Sequence, residues 1–99
     1  MRKYVIERMI DGVGSLNREQ LGGAAATSND ALARLAPRVQ WVQSYVTGDR
    51  TFCIYLAEDE SVIHEHARLS GFPATHVYEV VNMIDPATDR REHLNRSAA

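Results

Sequence analysis

Apolar residues fall along this chain in two rhythms, and the switches between them divide it into six elements. Arg2 to Met9 alternates, with Tyr4 and Ile6 on one side and Val5, Glu7 and Met9 on the other, as a strand does. Asp11-Gly12-Val13-Gly14 breaks the rhythm as a loop. Leu21, Ala24, Ala25, Ser28, Ala31, Leu32 and Leu35 then recur at helical spacing, behind Asn17 as N-cap with Gln20 three residues on, an arrangement near to a capping box. Gly22 and Gly23 each weaken that helix by about 1 kcal/mol relative to alanine, which predicts that it approaches another backbone closely there. Val39 to Thr47 and Thr51 to Ala57 alternate again across a short turn at Gly48-Asp49, a hairpin signal. Asp59 opens a second helix, with Val62, Ile63, His66, Ala67 and Ser70 along one stripe and Gly71 as its C-terminal cap. Thr75 to Ile84 reads as the last strand.

The order βαββαβ predicts an α+β fold of the ferredoxin-like type, an antiparallel sheet with two helices on one face. That domain spans residues 1–86, and residues 87–99 form a polar tail that is mobile or docks late. Strand phase assigns Tyr4, Ile6, Val42, Val46, Phe52, Ile54 and Leu56 to the helix side. The opposite face then carries Val5, Glu7, Trp41, Gln43, Tyr45, Cys53, Tyr55, Val77, Glu79 and Val81. Three large aromatics and two carboxylates suit neither water nor a plain core, and no element is left to cover them. A homodimer packed sheet on sheet, a dimeric α/β barrel with a pocket beside the carboxylates, satisfies this pattern.

Composition narrows the function by exclusion. The 99 residues are 44% hydrophobic and 24% charged, with a formal net charge of −2, which fits one ordinary domain. The charge offers no footprint for nucleic acid, and no apolar run approaches the ~20 residues that a membrane helix needs. The amino terminus reads as a strand rather than a secretory leader, and the single cysteine, Cys53, forms no intrachain disulfide and suits a reducing cytoplasm. No organic cofactor is implied, because a Gly-rich phosphate loop, a CxxC pair, HExxH and a serine elbow are all missing.

The candidate chemistry lies on the strands and the second helix. Glu7 and Glu79 read either as a base or metal ligand with a pKa raised by desolvation, or as carboxylates paired with Arg8, Arg38 or a tyrosine hydroxyl. Tyr45 and Tyr55 are interface aromatics or acids, with Trp41 beside them. His66 is a packed imidazole or one that reaches the pocket as a proton shuttle. Cys53 is a buried thiol unless a cation activates it. Glu60 and His64 share a helix face at i, i+4 and suit weak chelation of a surface metal, whereas His64 and His66 diverge. His76 begins the last strand and His93 lies in the tail, neither with a partner set by local spacing.

Several of these residues also carry a family resemblance. Glu7-Arg8, Trp41-Val42, Ser44-Tyr45-Val46-Thr47, Asp49, Cys53, Tyr55, Asp59-Glu60, Glu65-His66-Ala67, Gly71-Phe72-Pro73-Ala74, Val77, Glu79-Val80 and Ile84-Asp85-Pro86 resemble small bacterial ferredoxin-like proteins often labelled nickel-binding proteins. The resemblance covers about residues 3 to 88, and EHA followed by GFPA is its most specific part. It implies a dimeric ferredoxin-like fold and, from at least one member, nickel binding at the dimer surface, with sequestration or detoxification as the role. Glu60, His64, His66 and His76 are eligible ligands by their chemistry.

Two functions of different class follow. One is a small soluble protein that binds a divalent metal, nickel, for sequestration. The other is a cofactor-free enzyme of isomerase, cyclase or monooxygenase type, acting on a small hydrophobic substrate in the sheet-face pocket. There Glu7 or His66 serves as base and Tyr45 steadies a developing oxyanion, within walls of Trp41, Cys53, Tyr55 and Glu79.

Overall fold

A computed structural model describes residues 1–91 of the chain. Its elements are β1 (Arg2–Met9), α1 (Arg18–Leu35), β2 (Val39–Val46), β3 (Arg50–Ala57), α2 (Glu60–Ser70) and β4 (His76–Glu79), with single 3-10 turns at Val13–Ser15 and Pro86–Thr88. The strands form one sheet in the order β2-β3-β1-β4, and every neighbouring pair is antiparallel. This is an α+β fold consistent with the ferredoxin-like pattern. The last strand stops at Glu79, well short of Ile84; one further bond, from the Val80 amide to the Lys3 carbonyl, ends the pairing. His93 and most of the tail lie outside the described residues.

Local chemistry explains where the helices begin and end. Asn17 accepts a bond from the Gln20 amide while the Gln20 side chain accepts one from the Asn17 amide, a complete capping box. Asp59 caps α2 by accepting from the Val62 amide. Gly71 ends α2 at φ 79°, a left-handed conformation that glycine adopts without a Cβ penalty, and its amide returns to the Ala67 carbonyl.

The close backbone approach expected at Gly22 and Gly23 occurs elsewhere. A Cβ at either position would meet nothing within 4 Å. At Gly14 it would lie 2.7 Å from both the Thr47 carbonyl oxygen and the Gly48 Cα, and the Gly14 amide donates to the Gly48 carbonyl at 3.1 Å. The loop after β1 is thus pinned to the β2–β3 hairpin.

The core is built from Tyr4, Ile6, Leu35, Val39, Cys53, Tyr55, Ala57, Val62 and Ile63, between the sheet and the two helices. Tyr4 and Ile6 face the helices as expected, but β3 runs in the opposite phase. Tyr4 pairs with Tyr55 and Ile6 with Cys53, so Thr51, Cys53, Tyr55 and Ala57 turn inward and Phe52, Ile54 and Leu56 turn to the open face. Both phases of β3 are apolar, so alternation alone leaves its direction undecided. In β2 a bulge between Trp41 and Gln43 breaks the alternation. Trp41 therefore packs against the core, whereas Tyr45, 56% exposed, stands on the open face, and Val42 is exposed at the bulge. Val77 pairs with Ile6 and Glu79 with Tyr4, which puts both on the helix side. Of the residues expected on the open face, Trp41, Cys53, Tyr55, Val77 and Glu79 are thus on the other one.

Candidate functional site

Inside the helix layer, a string of polar side chains crosses the core. Arg8 continues the inward phase of Tyr4 and Ile6 and is 2% exposed. Its Nη1 donates to the carbonyls of Phe72 and Pro73 at 3.3 and 3.0 Å, so the turn that follows α2 anchors it. Its Nη2 lies 3.4 Å from His66 Nδ1, and its guanidinium carbon is 5.9 Å from the centre of the Tyr55 ring. His66 Nε2 is 3.0 Å from Ser28 Oγ, which in turn is 3.5 Å from the Tyr55 hydroxyl.

Donor capacity fixes the direction of this string. Arginine only donates, so His66 Nδ1 accepts, and Nε2 carries the hydrogen and donates to Ser28. Burial, with the Arg8 charge adding to it, holds the imidazole down at about 4, so His66 is neutral at neutral pH. Burial pushes the Tyr55 hydroxyl up, which keeps it protonated. Both ring nitrogens of His66 are engaged, one by a cation, so His66 offers no lone pair to a metal and none to a substrate.

Beside this string, a cavity of about 430 Å³ opens between the first half of α1 and the sheet. Gly22, Ala24, Ala25 and Ser28 form its helix wall, and Trp41, Cys53 and Tyr55 its sheet wall. The small side chains on α1 leave space where leucines would fill it. Trp41 Nε1 donates to Ser44 Oγ at 2.9 Å, which satisfies the indole and fixes its ring as a wall.

On the open face Glu7 sits in a charge cluster. Its carboxylate accepts from Arg50 Nη1 at 2.8 Å and pairs with His76 Nδ1 at 2.9 Å. The Arg50 bond, with lesser help from His76, holds the carboxyl below its usual range. The expected desolvated base is therefore an ion-paired carboxylate, and its partners are Arg50 and His76 rather than Arg8 or Arg38. Glu79 pairs at 3.5 Å with Arg2 at the sheet edge.

The expected catalytic trio of Glu7, His66 and Tyr45 does not come together. Glu7 and Tyr45 lie on the open face, and His66 is on the far side of the sheet. Trp41, Cys53 and Tyr55 line one pocket, on the helix side rather than the open face and without Glu79. Sequence reasoning missed Arg8 as a buried cation. The signal was its phase, the same as that of Tyr4 and Ile6.

The eligible metal ligands are dispersed as well. Glu60 Oε2 and His64 Nε2 lie 3.0 Å apart on the outer face of α2, both more than half exposed. His76 belongs to the Glu7 cluster, and His66 is buried. Among the described residues no three His, Cys, Asp or Glu side chains gather to hold a metal ion. No helix among them is long and apolar enough to cross a membrane.

The architecture and these sites define a small α+β domain with a helix-side cavity and an outward-facing carboxylate–imidazole pair. Residues 4–80 match the model of the family described as nickel responsive protein, SCO4226-like, and the chain belongs to that family. Its fold is similar to that of SCO4226 from Streptomyces coelicolor A3(2), whose crystal structure superposes with a TM-score of 0.69 at 13% identity, over 83% of this chain and 99% of that one. No curated protein matches.

Proposed function

We propose that this protein binds nickel(II) as a cargo ion, taken up through Glu60 and His64 on α2, in a sequestering role. One observation carries the reading: a carboxylate and an imidazole one helical turn apart, with their donor atoms 3.0 Å from each other and open to solvent. Nickel accepts both ligand types. The second carboxylate–imidazole pair, Glu7 with His76, is less suited, because Arg50 stands against the same carboxylate and repels a cation. The family description supports the choice of metal. Two protein donors leave the remaining positions to water or to a neighbouring molecule, which favours exchange over permanent retention. A cytoplasmic setting accords with the free, buried thiol of Cys53.

Calorimetric titration of tag-free protein with nickel(II) tests the reading. Saturable binding is expected, weakened at least tenfold in His64→Ala and unchanged in His76→Ala. No heat at micromolar protein, or equal binding by His64→Ala, refutes it.

A second copy of the chain is the partner we propose for the open sheet face. On the central strand β3, the residues turned to that face, Phe52, Ile54 and Leu56, are more apolar than Thr51, Cys53 and Tyr55 on the helix side. Tyr45 and Tyr78, 56% and 53% exposed, extend the same surface. A central strand whose outward side is richer in hydrocarbon than its core side is suited to being covered.

A further inference from the structure

We propose that the cavity between α1 and the sheet is a binding site for a small, largely apolar organic anion, with its carboxylate seated against Arg8 at the inner end. The site is separate from the metal pair on the outside of α2 and stands independently of it.

Charge is the first argument. Among the described residues two arginines line the cavity, Arg8 within and Arg18 at its exposed mouth, and no aspartate or glutamate does, although the chain as a whole is net negative. Arg8 is the unusual one. It is nearly fully buried, yet no carboxylate pairs with it among the described residues. Its hydrogen bonds go to two backbone carbonyls and a neutral imidazole, which orient the guanidinium without neutralising it. A buried charge left uncompensated is costly, and a bound carboxylate removes that cost.

Donors and shape agree with this assignment. Because His66 donates to Ser28 and the Ser28 and Tyr55 hydroxyls bond to each other, one hydroxyl hydrogen of that pair remains to give. Guanidinium and hydroxyl donors thus gather at one end, with no acidic acceptor among them. The rest of the wall, including Val13, Leu21, Ala25 and Trp41, is hydrocarbon or indole. A volume of about 430 Å³ lies within the ~300–1,000 Å³ of small-molecule sites, which are mostly apolar with a few placed polar groups.

The chain's single tryptophan, Trp41, is part of the wall and reports on occupancy. Its fluorescence is to be followed while octanoate or octan-1-ol is added, with a chelator present so that nickel plays no part. Octanoate is expected to give a saturable change and to bind at least tenfold more tightly than the alcohol. Arg8→Met is expected to bring the two ligands level. Arg8 also ties down the turn after α2, so a second variant guards against simple misfolding. Gly22→Leu puts a side chain into the cavity from a position with open space, retains the fold, and is expected to weaken octanoate at least tenfold. Three results overturn the proposal: no saturable response to octanoate, equal affinity for the alcohol, or undiminished octanoate binding by a folded Gly22→Leu.

Discussion

His66 shows how one buried side chain couples stability to pH. Its neighbours come from three elements: Arg8 on β1 at Nδ1, Ser28 on α1 at Nε2, and the Tyr55 ring on β3 at 5.2 Å. Its pKa falls from 6.5 when unfolded to about 4 when folded. Between those values the unfolded chain takes up a proton that the native one refuses, so stability is complete above pH 6.5 and declines as pH drops toward 4. Carboxylates held low by partners, such as Glu7 and Glu65, lose their contribution only below their ordinary value of 4.5, so the upper part of the window belongs to His66. Denaturant midpoints measured from pH 7 to pH 5 are expected to fall in the native protein and to stay nearly level in His66→Gln. A flat native profile refutes the assignment.

The elements themselves were largely legible in the sequence. Arg2–Met9 appears as read, the Asn17 N-cap and the Gly71 cap hold, α2 starts at Glu60 behind Asp59 as its N-cap, and the element order is as expected. Side-chain direction was less legible, for two physical reasons. On β3 both faces are apolar, so period-two alternation has no sign. On β2 the bulge after Trp41 shifts the phase in a way that no residue type announces. Glu79 and Val77 were misplaced through the same dependence on phase. The candidate site inherited these differences: Trp41 and Tyr55 line a cavity on the helix side, whereas Tyr45, expected beside them, stands on the open face. Glycines offer a check at this level. Gly71→Ala is expected to destabilise by about 1 kcal/mol, because a Cβ is penalised at φ 79°. Gly23→Ala is expected to stabilise by about 1 kcal/mol, because the helix gains propensity and the new methyl meets open space. Thermal melts moving in the same direction for both variants contradict this account.

For the whole molecule, the decisive property is a sheet with one face covered and one left uncovered by the described residues. Burial of the open face against a second copy removes apolar surface from water at ~25 cal/mol per Å². Ile54 sits opposite Val5 on β1 and Gln43 on β2, in the middle of that face, so it is the position at which a charge costs most. Ile54→Arg is expected to convert the proposed dimer to monomer, as read by light scattering, with little change in far-ultraviolet circular dichroism. Trp41→Glu is not an equivalent probe, since Trp41 packs on the helix side and its replacement damages the core and the cavity wall. A native protein that is monomeric at high micromolar concentration refutes the assembly.

The contact between Gly14 and Gly48 has a consequence for anyone who modifies this chain. Hairpin turns are ordinarily the most forgiving place to insert a tag, a label or a few extra residues. Here the turn is held against the loop that carries Val13 and Leu16, two residues of the cavity wall, with backbone so near that even a methyl group would collide. Lengthening the turn would lift that loop and reshape the proposed site, whose wall also includes Val46 and Thr51 at the end of the same hairpin. The outwardly dispensable tip is the wrong site for a graft, and a fluorophore placed there would report on the cavity.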